Sequence, residues 1–171
     1  MIAPLLKIAG VEVALQTFPT AQTYDVIEGA ALHRMLNGAG AKQTHWRKLA
    51  TQISGDGWAP VALAGVDWTI PVEIACIQAR SMHSLTTSAT LPAARRSDLT
   101  TNVYARAVVS GELVETAVSV AGNVATATSV ASATSYQFWY YPKLNFYSSG
   151  PSESLDLSGA AYAWELSAEE V

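Results

Sequence analysis

Val114-Glu115-Thr116-Ala117-Val118-Ser119-Val120-Ala121, then Gly122-Asn123, then Val124-Ala125-Thr126-Ala127-Thr128-Ser129-Val130 is the stretch on which the fold turns. Val114, Thr116, Val118 and Val120 lie two apart, and Val124, Thr126, Thr128 and Val130 repeat that spacing beyond Gly-Asn. A period of two sends alternate side chains to opposite faces of an extended chain, and Gly-Asn tolerates a tight reversal. Two antiparallel strands are therefore expected here.

Outward toward the C-terminus, Tyr136 to Tyr141 reads as an aromatic strand halted by Pro142, and Leu144 to Tyr147 follows it. After Ser148-Ser149-Gly150-Pro151, Ala160 to Ala168 forms a closing strand with Tyr162, Trp164 and Leu166 on one face. Outward toward the N-terminus, Leu91 to Asp98 carries Pro92, Arg95 and Arg96 and reads as a connector. Ser81 to Thr90 is polar, either a loop or a weak strand. Pro71 opens a strand over Val72 to Ala79, at a position where a missing N–H costs least. Ala59 to Asp67 lacks alternation and reads as a loop or short helix. No window longer than about ten residues holds an apolar three-four spacing with a cap at each end. The expected class is all-β, a sandwich or barrel with little helix.

The clearest hairpin spans about 30–54, with Asn37-Gly38-Ala39-Gly40 as its turn. Its second arm, Lys42 to Ile53, exceeds the usual strand of about five or six residues. With Lys42, Arg47 and Lys48 along it, the arm is too polar for a private core, so it is expected to project against a neighbouring subunit. Lys42, His45, Trp46, Arg47 and Lys48 are its candidate interface residues. Gly55 and Gly57 are expected to adopt positive φ and break the strand, with Trp58 as a buried anchor at the base of the arm and Pro60 stiffening the exit. The whole is one β-rich domain over 1–171, with this arm and a compact C-terminal β unit from about 100 to 171.

Composition narrows the function. Of 171 residues, 50% are hydrophobic and 14% charged, against about 25% charged in ordinary soluble domains. So little charge leaves uncharged surface for a partner. The net charge of −4 disfavours phosphate binding, and no nucleic-acid recognition is expected. No apolar run approaches the roughly 20 residues of a spanning helix, so no membrane insertion is expected. Met1 to Gly10 has no cationic region before its apolar residues and does not read as a secretory signal. The single cysteine, Cys76, sits between Ile74 and Ile77 as a buried strand residue, which fits a reducing cytoplasm.

Chemistry is scarce. There is no phosphate-binding Gly-Lys-Ser/Thr, no Gly-x-Gly-x-x-Gly after a strand and no His-Glu-x-x-His. Val109-Ser110-Gly111 lacks the second glycine of a nucleophile elbow. Were the hairpin turn centred near Ala39, His33 and His45 would face each other at about 5 Å, near enough to share a metal. No carboxylate or thiol lies near them in the sequence, so two ordinary surface histidines are the simpler reading. Phe138-Trp139-Tyr140-Tyr141 with Tyr147, Tyr162 and Trp164 suits core or interface packing better than a sugar platform. No enzymatic activity, cofactor or metal is expected.

Met35-Leu36-Asn37-Gly38, Lys42-Gln43-Thr44-His45-Trp46-Arg47-Lys48 and Ile53-Ser54-Gly55-Asp56-Gly57-Trp58-Ala59-Pro60 resemble tail proteins of long-tailed, non-contractile bacteriophages. Leu63-Ala64-Gly65-Val66-Asp67-Trp68, the connector Leu91 to Asp98 and the ending Tyr162 to Val171 are similar too, so the resemblance touches about half the chain. It implies a ring-forming subunit of the tail tube or distal baseplate, located in the virion tail after assembly in the host cytoplasm. Its partners would be copies of itself and other tail proteins. Competing readings are a receptor- or carbohydrate-binding module of the tail tip, and a capsid decoration or head–tail joining protein.

Overall fold

The computed structural model describes residues 4–14, 17, 19–99 and 101–171; the first three residues of the N-terminal stretch read above lie outside them. The chain is all-β. Its strands are β1 (Lys7–Ile8), β2 (Val11–Glu12), β3 (Pro19–Arg34), β4 (Gly40–Gly57), β5 (Val72–Ala75), β6 (Arg80–Ser84), β7 (Ser88–Thr90) and β8 (Val103–Val109). They continue with β9 (Glu112–Thr116), β10 (Val118–Ala121), β11 (Val124–Ala127), β12 (Ala133–Tyr140), β13 (Lys143–Tyr147), β14 (Ser152–Asp156) and β15 (Ala161–Glu170). No described helix is long and apolar enough to cross a membrane.

The chain divides into two compact units, Met1–Lys7 with Ile74–Leu144, and Ile8–Glu73 with Asn145–Val171. The stretch read as one C-terminal unit from about 100 is thus shared between them. The reason is pairing: β15 finds its partner in β4, far upstream, so the chain end belongs to the second unit.

The first unit is a sandwich. A four-stranded sheet, β6-β12-β8-β9, and a three-stranded sheet, β10-β11-β7, contribute to one core. Ala125 and Ala127 of β11 share that core with Val103, Ala105, Ala107, Tyr136, Phe138 and Tyr140 of the larger sheet. Small side chains on one sheet make room for rings on the other. The alternating segment quoted first is divided: β10 and β11 form the hairpin around Gly122-Asn123, while Glu112–Thr116 turns away to pair with β8. Ser110 and Gly111 both take positive φ, 51° and 88°, in the β8–β9 reversal. Val109-Ser110-Gly111 is therefore a tight hairpin turn. Ser81 to Thr90, left open between loop and weak strand, forms β6 and β7.

Arg96 is the most unusual core residue of this unit, 1% exposed. Its Nε and Nη2 donate to Asp98 at 3.0 and 2.9 Å, and its Nη1 donates to the carbonyls of Leu5, Ala75 and Cys76 at 2.7, 3.2 and 3.1 Å. A buried guanidinium is tolerable only with its donors satisfied, and this one gathers three chain segments in satisfying them. Lys7 adds a second cation at 3.3 Å from Asp98. The Arg96 hydrogen bonds hold the Asp98 carboxyl well below the usual carboxylate range. Arg95 donates to Pro92, Gly122 and Asn123, tying the connector to the β10–β11 turn.

In the second unit, β3, β4, β15 and β14 lie side by side and antiparallel. Alternation along β15 buries Trp164, Leu166 and Ala168 and exposes Ala163, Glu165, Ser167 and Glu169, as the sequence pattern requires. Trp164 Nε1 donates to the Thr17 carbonyl at 3.0 Å, so the buried indole leaves no polar atom unmatched. Gln22 Nε2 donates to Thr51 Oγ1 at 3.0 Å, which in turn donates to the Thr23 carbonyl at 2.9 Å, filling the β3–β4 side of the core with a satisfied polar chain. The strand expected over Val72 to Ala79 stops at Ala75. Ala59 to Asp67 is irregular, with Val61 and Leu63 buried.

Candidate assembly surface

The hairpin is longer than its sequence suggested, because its first arm begins at Pro19 and not near Ala30. Its second arm runs unbroken through the Ser-Gly-Asp-Gly cluster. Gly55 and Gly57 keep negative φ and pair with Trp164 and Tyr162, so β15 holds the strand straight where the glycines alone would permit a bend. Trp58 is accordingly no buried anchor: it is 69% exposed, lining a small cavity of about 180 Å³ with Val13, Pro60 and Leu63.

β15 pairs with β4 only from Ala50 to Gly57. Beyond Val26 and Leu49, β3 and β4 pair, among the described residues, with each other alone as far as Arg34 and Gly40. From Val26 to Arg34 this two-stranded ribbon reaches about 30 Å past the sheet. Its turn is closed by Met35 N donating to Ala39 O at 2.9 Å and Gly38 N donating to Met35 O at 2.8 Å. Leu32, Met35, Leu36 and Trp46 stand exposed on it.

The register corrects the histidine pair. Arg34 faces Gly40 and His33 faces Ala41, so the turn centres on Asn37 rather than Ala39. His45 is the extra residue of a bulge between the pairs Gly29–Trp46 and Ala30–Thr44, opposite nothing. Among the described residues no group of three metal-ligating side chains forms.

The five candidate interface residues do not share a face. Alternation from Val26 and Leu49 places Glu28, Leu32, Arg34, Lys42 and Arg47 on the side continuous with the buried face of the sheet. Ile27, Gly29, His33, Trp46 and Lys48 fall on the other side. Trp46 lies across Gly29, where an added Cβ would meet its indole at 2.4 Å. Lys42 pairs with Glu28, and Lys48 reaches the Val171 carbonyl. Among the described residues Arg34 and Arg47 have no carboxylate partner.

What sequence reading missed is the segregation of charge. Residues 29–55 hold Arg34, Lys42, Arg47 and Lys48 and no carboxylate; residues 144–171 hold Glu153, Asp156, Glu165, Glu169 and Glu170 and no Lys, Arg or His. Register carries this into space. Asp25 is opposite Ala50, which is opposite Glu169; Asp56 is opposite Ala163; Glu165 is opposite Ser54; Asp156 is opposite Ala161. Alternation puts all five carboxylates on the exposed side of the β14-β15-β4-β3 sheet, among Ala, Ser, Thr and Gln, with Lys48, two residues along β4 from Ala50, as the cation at its edge. Hydrogen bonds from the Ser158 hydroxyl and backbone hold the Asp156 carboxyl below its ordinary range. A shallow groove of about 460 Å³, flanked by Asp25, Tyr147 and Glu169, lies on this side. The signal was present in the run of 27 residues without an acid, but its meaning depended on β15 lying beside β4.

The aromatic cluster disperses. Phe138, Tyr140, Tyr141 and Trp164 are buried, and Tyr147 is exposed. Trp139 stacks on Tyr104 with ring centroids 5.2 Å apart and planes 3° from parallel, and Arg106 lies 5.6 Å from the Trp139 ring. These aromatic faces are turned on one another. Burial, with the Tyr141 hydroxyl nearby, pushes the Tyr104 phenol up from its ordinary range. Cys76 is buried as expected, but it lies just past the end of β5 and not within a strand. No family model, curated protein or solved structure matches the chain.

Proposed function

We propose that this all-β chain is a structural subunit of a bacteriophage tail, assembling with copies of itself into a ring of the tube or distal baseplate, and that it is not an enzyme. The observation that carries the assembly reading is the ribbon. A two-stranded hairpin alone is marginal in water, and this one exposes Leu32, Met35, Leu36 and Trp46, with no third strand beside it among the described residues. Such a feature is retained where another surface covers it, and an uncovered strand edge of this length would invite uncontrolled pairing. The tail assignment rests in addition on the resemblance of the ribbon and of the segment that follows it.

Replacing residues 31–43 by a two-residue turn removes the distal ribbon and leaves the β14-β15-β4-β3 pairing intact. Light scattering and negative-stain microscopy over rising concentration test the reading. The full chain forms closed oligomers and the shortened chain stays monomeric with an unchanged circular dichroism spectrum. A full chain that remains monomeric at every concentration would refute it.

A further inference from the structure

Resting on that assembly reading, we propose that the ribbon's receiving surface is the carboxylate-bearing side of the β14-β15-β4-β3 sheet of a second copy. The cationic, apolar side of one ribbon, bearing Val26, Leu32, Arg34, Lys42 and Arg47, lies on a sheet face bearing Asp25, Asp56, Glu165 and Glu169. Three observations converge. Charge is complementary: the ribbon side carries three cations against Glu28 alone, and the sheet face carries five carboxylates against one cation at its edge, Lys48, which donates to the Val171 carbonyl. Shape is compatible: the sheet face is lined by Ala, Ser, Thr and Gln, short enough for another strand pair to approach, and its groove beside Tyr147 offers an arginine both an aromatic face and two carboxylates.

The third observation concerns sidedness. The cationic side of the ribbon continues the buried face of its own sheet, and the acidic side is the opposite one. A chain cannot lay this side of its ribbon on its own acidic face without reversing the β3–β4 ladder, so the contact runs between copies. It joins two different patches and therefore repeats in one direction, closing into a ring or extending as a filament. Lys42 is engaged by Glu28 and Lys48 by the Val171 carbonyl, while Arg34 spends one N–H on the Gly38 carbonyl, so its remaining donors and Arg47 are left for the neighbour.

The test is a charge exchange. An arm-reversed chain carries Arg34→Glu and Arg47→Glu; a face-reversed chain carries Asp56→Lys and Glu169→Lys. Sedimentation at low salt is expected to show association weakened at least ten-fold for each alone. An equimolar mixture is expected to recover it, since each variant's arm then matches the other's face. Circular dichroism melts check that both variants fold; should a reversal unfold the chain, Arg47→Gln and Glu169→Gln replace it, with a smaller loss expected. A face-reversed chain that assembles like wild type overturns the proposal while leaving assembly through the ribbon intact. A wild-type chain that never assembles overturns both. A wild-type chain that stays monomeric and binds phosphatidylserine vesicles through Arg34 and Arg47 would identify a lipid surface as the occupant instead.

Discussion

Gly29→Ala is expected to open the ribbon while sparing the rest of the fold. A Cβ at position 29 would stand 2.4, 2.7 and 2.9 Å from Nε1, Cε2 and Cδ1 of Trp46, well inside van der Waals contact, so the indole must leave its seat. Trp46 is 52% exposed. About half of a side chain worth roughly 200 Å² is therefore covered, and at about 25 cal/mol/Å² its complete loss amounts to about 2.5 kcal/mol. The displaced ring regains part of this elsewhere, so a cost of about 1–2 kcal/mol is expected, a five- to thirty-fold rise in the open ribbon population. Among the described residues, strand pairing of 27–48 is with each other only, so the cost falls on local opening. Trypsin cleavage after Arg47 reads it, because a paired strand must leave its ladder before a protease can grip it. Trp46→Ala is expected to accelerate cleavage to a similar degree, and adding Gly29→Ala to it to change little, since the obstructed ring is gone. Equal cleavage rates for wild type and Gly29→Ala would refute the reasoning.

The remaining expectations concern the two cores and the base of the ribbon. Asp98→Asn weakens the anchor of a guanidinium that cannot leave the core. Because Asp98 is 36% exposed, the loss should be on the order of 2 kcal/mol, short of the roughly 3–5 of a fully buried pair, read as a lower urea midpoint. The same carboxyl gives stability its pH dependence. Its pKa is depressed on folding, so its contribution is complete above the unfolded value near 4 and is lost as pH falls below it; Asp98→Asn should flatten that acid limb. Phe138→Ala, at a wholly buried position facing Ala105 and Met82, should cost about 3–5 kcal/mol in chemical denaturation. Trp58→Ala should cost less than about 1.5 kcal/mol and lower the melting temperature little, because most of the indole is already in water.

The all-β class was legible because alternation is a local property: Val114 to Val130 and Ala160 to Ala168 show it within single segments, and the β10–β11 and β15 strands follow it. The existence of a long arm was legible from another local signal, the Asn37-Gly38-Ala39-Gly40 turn. What failed depended on partners distant in sequence. Gly55 and Gly57 look like a break until β15 pairs across them. Trp58 looks like an anchor by size alone, yet its burial depends on what the chain brings above it. The histidines were misplaced by a shift of two residues in the turn centre and by a bulge at His45, neither of which leaves a local mark. Arg95 and Arg96 read alike as connector charges, although one is half-buried against a turn and the other seals the core through carbonyls from residues 5, 75 and 76. The acidic sheet face was invisible because its carboxylates come from four strands, and only the register puts them on one side.

The central claim, that the ribbon is covered by another copy, is tested most directly by amide hydrogen exchange on residues 27–48 in the dilute chain and in the assembled state. Fast exchange is expected there in the dilute chain and strong protection on assembly, with the pairing of β4 to β15 from Ala50 to Gly57 protected in both. Equal protection of residues 27–48 in the two states would contradict it.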